Sequence, residues 1–297
     1  MTFLIAEEWE EPHMKRILTP LQGYPGEVNV VNLAFCLAEY SKANVSLFYC
    51  EEKASEEQDA WLDRFQKHAK SLSKELGIPF SYERVKGRRA SVAILKNEKE
   101  TECDLIIMGI AQRPKLRHLL GTTTRRVARK SKAPVLVVAS WDEDLEKISR
   151  PVLRKILLPI RDTKKDIAAL RVAAALKKSS AAKDAELIAL NLTPLPFVTS
   201  QKAIDTPEVK LGKELFLDDL NIFTEQTGLE VIPKHVAAPK VGDAALEIAE
   251  KENVDLIILG SHRKPGRLRD GRFRGVVGSV SHQIASESKV AVVITFT

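Results

Sequence analysis

The chain has 297 residues, 44% of them hydrophobic and 29% charged, with a formal net charge of +6. That length suits two compact cores of roughly 150 residues each. No apolar run approaches the roughly 18 to 20 residues of a membrane-crossing helix, and the N-terminus turns acidic after a few apolar residues, unlike a secretory signal.

In chain order, the first expected strand is "KRILTPL" at Lys15 to Leu21, and "KANVSLFYC" at Lys42 to Cys50 reads as the second. The run "LDRFQKHAKSLSKEL" from Leu62 to Leu76 places apolar residues at helical spacing, and "IPFSYERV" follows as a third strand. "DLIIMG" at Asp104 to Gly109 is a fourth strand. "GTTTRRVARKSK" opens a last helix at Gly121, and "APVLVVAS" supplies a fifth strand. The acidic "DEDLEKISRPV" of residues 142–152 reads as a linker between residues 1–141 and 153–297.

The second half repeats the first. "RKILLPI" answers the opening strand, "KDAELIALNL" the second and "LEVIPKHV" the third, while "DLIILG" at Asp255 to Gly260 nearly duplicates the fourth. The helical runs "DIAALRVAAALKKS" and "VGDAALEIAEKEN" separate them, and "KVAVVITF" ends the chain. Strand and helix alternate, which implies right-handed crossovers and buried parallel strands. The expectation is an α/β chain of two tandem doubly wound domains, each a five-stranded, mainly parallel sheet with helices on both faces. "PVLVV" and "VAVVITF" are expected at sheet edges, where the halves can pair internally as a pseudo-dimer.

Cys36, Cys50 and Cys103 lie far apart, with no Cys-x-x-Cys pair and no His at ligand spacing. That usage fits a reducing compartment, so a cytoplasmic protein without disulfides or structural metal is expected. Basic residues cluster in "QRPKLRHLLGTTTRRVARKSK" and "HRKPGRLRDGRFRG". Arg113, Lys115, Arg117, Arg263, Lys264, Arg267, Arg269, Arg272 and Arg274 form the candidate interaction surface, suited to phosphate, anionic lipid or an acidic protein face. Aromatic residues for base stacking are nearly absent from both clusters, which argues against nucleic acid.

Each half resembles a universal stress protein domain. The resemblance rests on the first strand ending in Pro, on the Asp-Leu-Ile-Ile-x-Gly run, and on Gly121-Thr122-Thr123 and Gly278-Ser279-Val280-Ser281 opening the last helices. It implies a nucleotide crevice between the first and fourth strands, with an acid after the first strand and a Gly-rich loop whose N–H groups curl round phosphate. Here Gln22 stands at the acid's place in the first half, and Gln112 replaces a loop glycine between Gly109 and Gly121. In the second half Arg161 stands there, followed by Asp162, with Gly260, Ser261, Gly278, Ser279 and Ser281 as the candidate nucleotide or anion site. Arg267, Arg272 or Arg274 could neutralise the anion. No Ser/His/Asp or paired-carboxylate arrangement indicates catalysis.

The resemblance leaves two functional expectations. One is a non-catalytic regulatory and dimerisation domain on the cytoplasmic side of a membrane secondary transporter. "EEWEEPHMKRILTP" is similar to the Trp-x-x-Pro entry of cation-chloride cotransporter C-terminal domains, through Trp9, Pro12 and Arg16-Ile17-Leu18. Its partners would be the transmembrane part of the same protein, a second copy and the anionic membrane surface. The other is a free-standing tandem protein binding ATP or AMP in its second half; the first expectation needs no cofactor.

Overall fold

The computed structural model describes residues 14–52, 55–87, 89–110, 121–139, 152–161, 166–194, 207–261 and 278–296. The linker at residues 142–151, Gln112, Asp162, and the candidate basic residues Arg113, Lys115, Arg117, Arg263, Lys264, Arg267, Arg269, Arg272 and Arg274 lie outside them.

The first half runs β1 (Arg16–Leu21), α1 (Val28–Ser41), β2 (Asn44–Glu51), α2 (Glu56–Leu76), β3 (Phe80–Lys86), α3 (Ala90–Thr101), β4 (Leu105–Gly109), α4 (Thr122–Lys130) and β5 (Val135–Ala139). The second runs β6 (Lys155–Ile160), α5 (Ile167–Lys177), β7 (Glu186–Pro194), α6 (Pro207–Thr227), β8 (Ile232–Ala238), α7 (Val241–Lys251), β9 (Leu256–Ser261), α8 (Ser279–Glu287) and β10 (Ala291–Phe296). The expected α/β alternation therefore recurs in each half.

All ten strands join one sheet in the order β3-β2-β1-β4-β5-β10-β9-β6-β7-β8. Its junction is the antiparallel pair of β5 and β10, with Val292 opposite Ala139 and Phe296 opposite Val135. Alone, each half would leave an apolar strand with an unpaired edge, and pairing the two edges removes both from solvent. The halves thus form the internal pseudo-dimer that their terminal strands suggested.

Side chains alternate across this sheet. Ile17, Val45, Leu47, Ile107 and Leu136 pack with α1, α2, α5 and α6 in one core. Leu18, Phe48, Ile106, Val135 and Val137 pack with α3, α4, α7 and α8 in the other. Both cores run through the two halves. On the first face α1 meets α5: Ser180 N donates to Glu39 Oε2 at 3.0 Å, and Lys178 Nζ lies 4.3 Å from the centre of the Tyr40 ring.

The repeated Asp-Leu-Ile-Ile-x-Gly phrase has a physical reason at each end. Its Asp ties the start of the first strand: Asp104 Oδ2 accepts from Lys15 N and Arg16 N at 2.7 and 2.9 Å. Asp255 Oδ2 accepts from Arg154 N and Lys155 N at the same distances. Its Gly ends β4 and stands next to last in β9, packed on an acid from the neighbouring loop; at Gly260 a Cβ would collide with that acid.

Candidate functional site

In a doubly wound sheet the ligand crevice opens beyond the carboxyl ends of the strands where their order reverses. That point lies between β1 and β4 in the first half and between β6 and β9 in the second.

Beyond β1 the chain turns through Gln22, Gly23 and Tyr24 into a 3-10 turn at Pro25–Glu27, which feeds α1. Gly23 has φ +80, and a Cβ there would lie 2.8 Å from Gln58 O. Glycine serves both the positive φ and the close backbone approach. The Gln58 side chain, from α2, donates to Gln22 O at 2.7 Å and fixes the loop from outside.

The loop curls round the carboxylate of Glu27. Its oxygens accept from Gln22 N at 2.8 and 2.9 Å, from Gly23 N at 2.8 Å and from Tyr24 N at 3.1 Å. Glu27 is 4% exposed, and a Cβ on Gly109 would stand 3.4 Å from its Cγ. Burial pushes the carboxyl up to about 7 against the pull of the three N–H donors. Across the crevice, Thr124 of α4 donates to Gly109 O at 3.4 Å.

The second crevice repeats the arrangement with Asp166, 4% exposed at the N-cap of α5. Its Oδ2 accepts from Arg161 N at 3.0 Å, the same five-residue reach as Gln22 to Glu27. A Cβ on Gly260 would collide with Asp166 Oδ1. Beside it, Asn191 Nδ2 donates to Ile160 O at 3.1 Å, so its Oδ1 accepts from His235 Nδ1 at 2.9 Å. That bond leaves His235 Nε2 as a buried acceptor without a partner among the described residues. Burial, with the Lys213 charge adding to it, lowers the His235 pKa.

Of the sequence candidates, Gly260 and Ser261 close β9, while Gly278 is the N-cap of α8 with Ser279 and Ser281 in its first turn. Among the described residues a Cβ on Gly278 would meet nothing within 4 Å. In the first half α4 begins after Gly121 and turns Thr124, Val127 and Ala128 inward, leaving Arg125, Arg129 and Lys130 exposed. Among the described residues no group of three or more His, Cys, Asp or Glu side chains suits a metal. The cysteines are buried and free, and no described helix is long and apolar enough to cross a membrane.

Sequence reasoning missed Glu27 and Asp166. It sought the acid immediately after the strand, at Gln22 and Arg161. The available signal was an acid at the same distance beyond Pro20 and Pro159 in both halves.

The universal stress protein family matches residues 14–139 and 153–295. Among solved structures, a functionally unknown protein from Pseudomonas aeruginosa PAO1 is 16% identical with a TM-score of 0.62, over 95% of this chain and 92% of that one. A universal stress protein from Archaeoglobus fulgidus DSM 4304 is 19% identical with a TM-score of 0.60, over 96% and 97% of the two chains. The cytoplasmic domain of a prokaryotic cation chloride cotransporter is 14% identical with a TM-score of 0.59, over 95% of each. At these identities the likeness is one of fold.

Proposed function

The chain belongs to the universal stress protein family, with two tandem domains, and from that premise we propose a non-catalytic cytoplasmic regulatory and dimerisation domain of a membrane secondary transporter, of the cation-chloride cotransporter kind. The observation that carries this reading is the seating of Glu27 and Asp166 in the two crevices. With its own acids at the crevice floors, the fold has its outer surface left for regulation. The end-to-end fold likeness to the cytoplasmic domain of a prokaryotic cation chloride cotransporter supports attachment to a transmembrane part. Arg125, Arg129 and Lys130, exposed on α4, supply a basic face for anionic lipid or for the transporter's own cytoplasmic loops, and the segments 111–120 and 262–277 add further positive charge to the chain. A second copy would associate about a two-fold axis.

The test is ion flux through the full-length protein in vesicles, comparing the natural chain with one carrying Arg267, Arg269, Arg272 and Arg274 changed to Glu. Altered flux with an unchanged unfolding midpoint is expected. Unchanged flux would remove the regulatory role of this surface.

One observation favours a second reading, a free-standing tandem protein that binds ATP or AMP in its second half. The N-cap at Gly278, where a Cβ would meet nothing within 4 Å among the described residues, with Ser279 and Ser281 following, offers N–H groups to an oxyanion. Calorimetry with millimolar ATP and magnesium decides it. Heat that Gly278→Leu abolishes would establish this reading, and its absence would dismiss it.

A further inference from the structure

We propose that the loop Gln22 to Tyr24 is a carboxyl receptor of which Glu27 is the resident ligand, so that the side chain acts as a plug and its removal exposes a site for a small carboxylate. This rests on the reading that the first crevice holds no nucleotide, and it adds what the crevice holds in its place.

The receptor is built on three sides. Three consecutive backbone N–H groups converge on one carboxylate, at distances between 2.8 and 3.1 Å. Successive N–H groups aimed into one concavity form an anion nest. The loop holds that shape through two features outside the carboxylate: the positive φ of Gly23, and the Gln58 side chain bonded to Gln22 O. The third side is Gly109, which packs on the Glu27 side chain: a Cβ there would touch Glu27 Cγ at 3.4 Å and crowd Val30 Cγ2 at 3.2 Å.

The second half shows that this seating is not an accident of one loop. Asp166 aligns with Glu27, accepts from the N–H five residues before it, and fills the space above Gly260. A glutamate and an aspartate differ by one methylene, yet both carboxylates reach the same point of the fold. What the two halves share is a polar seat at the switch point, satisfied from within the chain.

Deleting the plug should leave the seat. In Glu27→Ala the N–H groups of Gln22, Gly23 and Tyr24 lose their acceptor, and the loss at the buried Gly23 and the partly buried Gln22 and Tyr24 destabilises the fold. Formate carries the deleted carboxylate on a single carbon and fits the space vacated by Cγ, Cδ and the two oxygens.

The experiment follows the thermal unfolding of the full chain in formate and in sodium chloride of equal ionic strength. Glu27→Ala is expected to melt about 5 °C below the natural chain and to recover at least half of that loss in formate. The natural chain and Glu27→Gln should show no formate effect. No recovery in Glu27→Ala, or equal stabilisation of all three proteins, would overturn the proposal. If Glu27→Ala does not fold, amide hydrogen exchange of the natural chain decides: protection of Gly23 and Tyr24 by at least about 100-fold is expected, and free exchange would overturn the receptor. ATP calorimetry on the natural chain separates the two layers. Binding heat lost on Gly109→Leu would sink the closed-crevice reading itself, whereas silent ATP with failed formate rescue would sink only the receptor.

Discussion

Replacing Gly260 by alanine tests whether an acid is seated at the second switch point. The added Cβ would collide with Asp166 Oδ1 and lie 3.0 Å from its Cγ, so the carboxyl must leave its place. Leaving gives up the bond from Arg161 N at 3.0 Å, made to a residue only 4% exposed. A hydrogen bond to a charged group contributes about 1.5–3 kcal/mol, and overpacking a filled site costs about 1–3 kcal/mol. The two penalties are alternatives in part, because movement of Asp166 relieves the overlap, so a loss of about 2–4 kcal/mol is expected. Gly109→Ala should cost less, about 1 kcal/mol, because its Cβ would meet Val30 Cγ2 at 3.2 Å and Glu27 Cγ at 3.4 Å, which small movements absorb. Gly278→Ser is the control: no described residue lies within 4 Å of the added Cβ, and φ −63 with ψ 155 suits a serine N-cap, so the change should be neutral within about 0.5 kcal/mol. Urea unfolding followed by circular dichroism reads all three. A Gly260→Ala cost below about 0.5 kcal/mol, small for a substitution in a packed site, or a Gly278→Ser cost as large as that of Gly260→Ala, would refute the reasoning.

Three further predictions follow from single groups. Glu27 is raised to about 7 from 4.5, so the folded chain holds its proton more tightly; its contribution to stability is fully present below about pH 4.5 and is lost as pH rises to about 7. Linkage gives roughly 3 kcal/mol across that window, read as the change with pH in the stability difference between the natural chain and Glu27→Gln; a pH-independent difference would contradict it. The variant is the necessary reference because His68 and His235, both lowered from 6.5, act with the opposite sign as pH falls. Glu98 is buried between α3 and β5 and accepts from Ser131 Oγ, Lys132 N and Ala133 N at 2.8, 2.6 and 2.9 Å; Glu98→Ala should therefore cost about 3 kcal/mol in urea unfolding. Cys103 is buried, and burial pushes its thiol up to about 12, so a disulfide reagent at pH 8 should label it only after urea unfolds the chain.

The fold was legible because its signals are periodic and doubled. The apolar runs around Ile106 and Ile257 could belong only to strands buried on both faces, and their recurrence half a chain apart fixed the tandem plan. Pairing of β5 with β10 was also open to reading, since two apolar edges in one chain remove each other's exposure. The plug at each crevice was harder to see. Nothing in the composition of "QGYPGEV" says that Gly23 takes φ +80 or that the loop returns Glu27 beneath Gly109. Those are properties of the folded turn. Comparison of the halves offered the one usable hint: Glu27 and Asp166 share a position even though the residues between strand and acid do not match. Histidine pairing was equally hidden, because the His235 and Asn191 contact joins strands whose register only the folded sheet defines.

Reading the native coding sequence on the 5′ side of the codon for Met1 tests the transporter reading most directly. An open frame running back into about ten or more apolar segments of roughly 20 residues each is predicted. An in-frame stop codon beside a ribosome-binding site would contradict attachment to a transporter and leave nucleotide sensing by the second half as the reading to pursue.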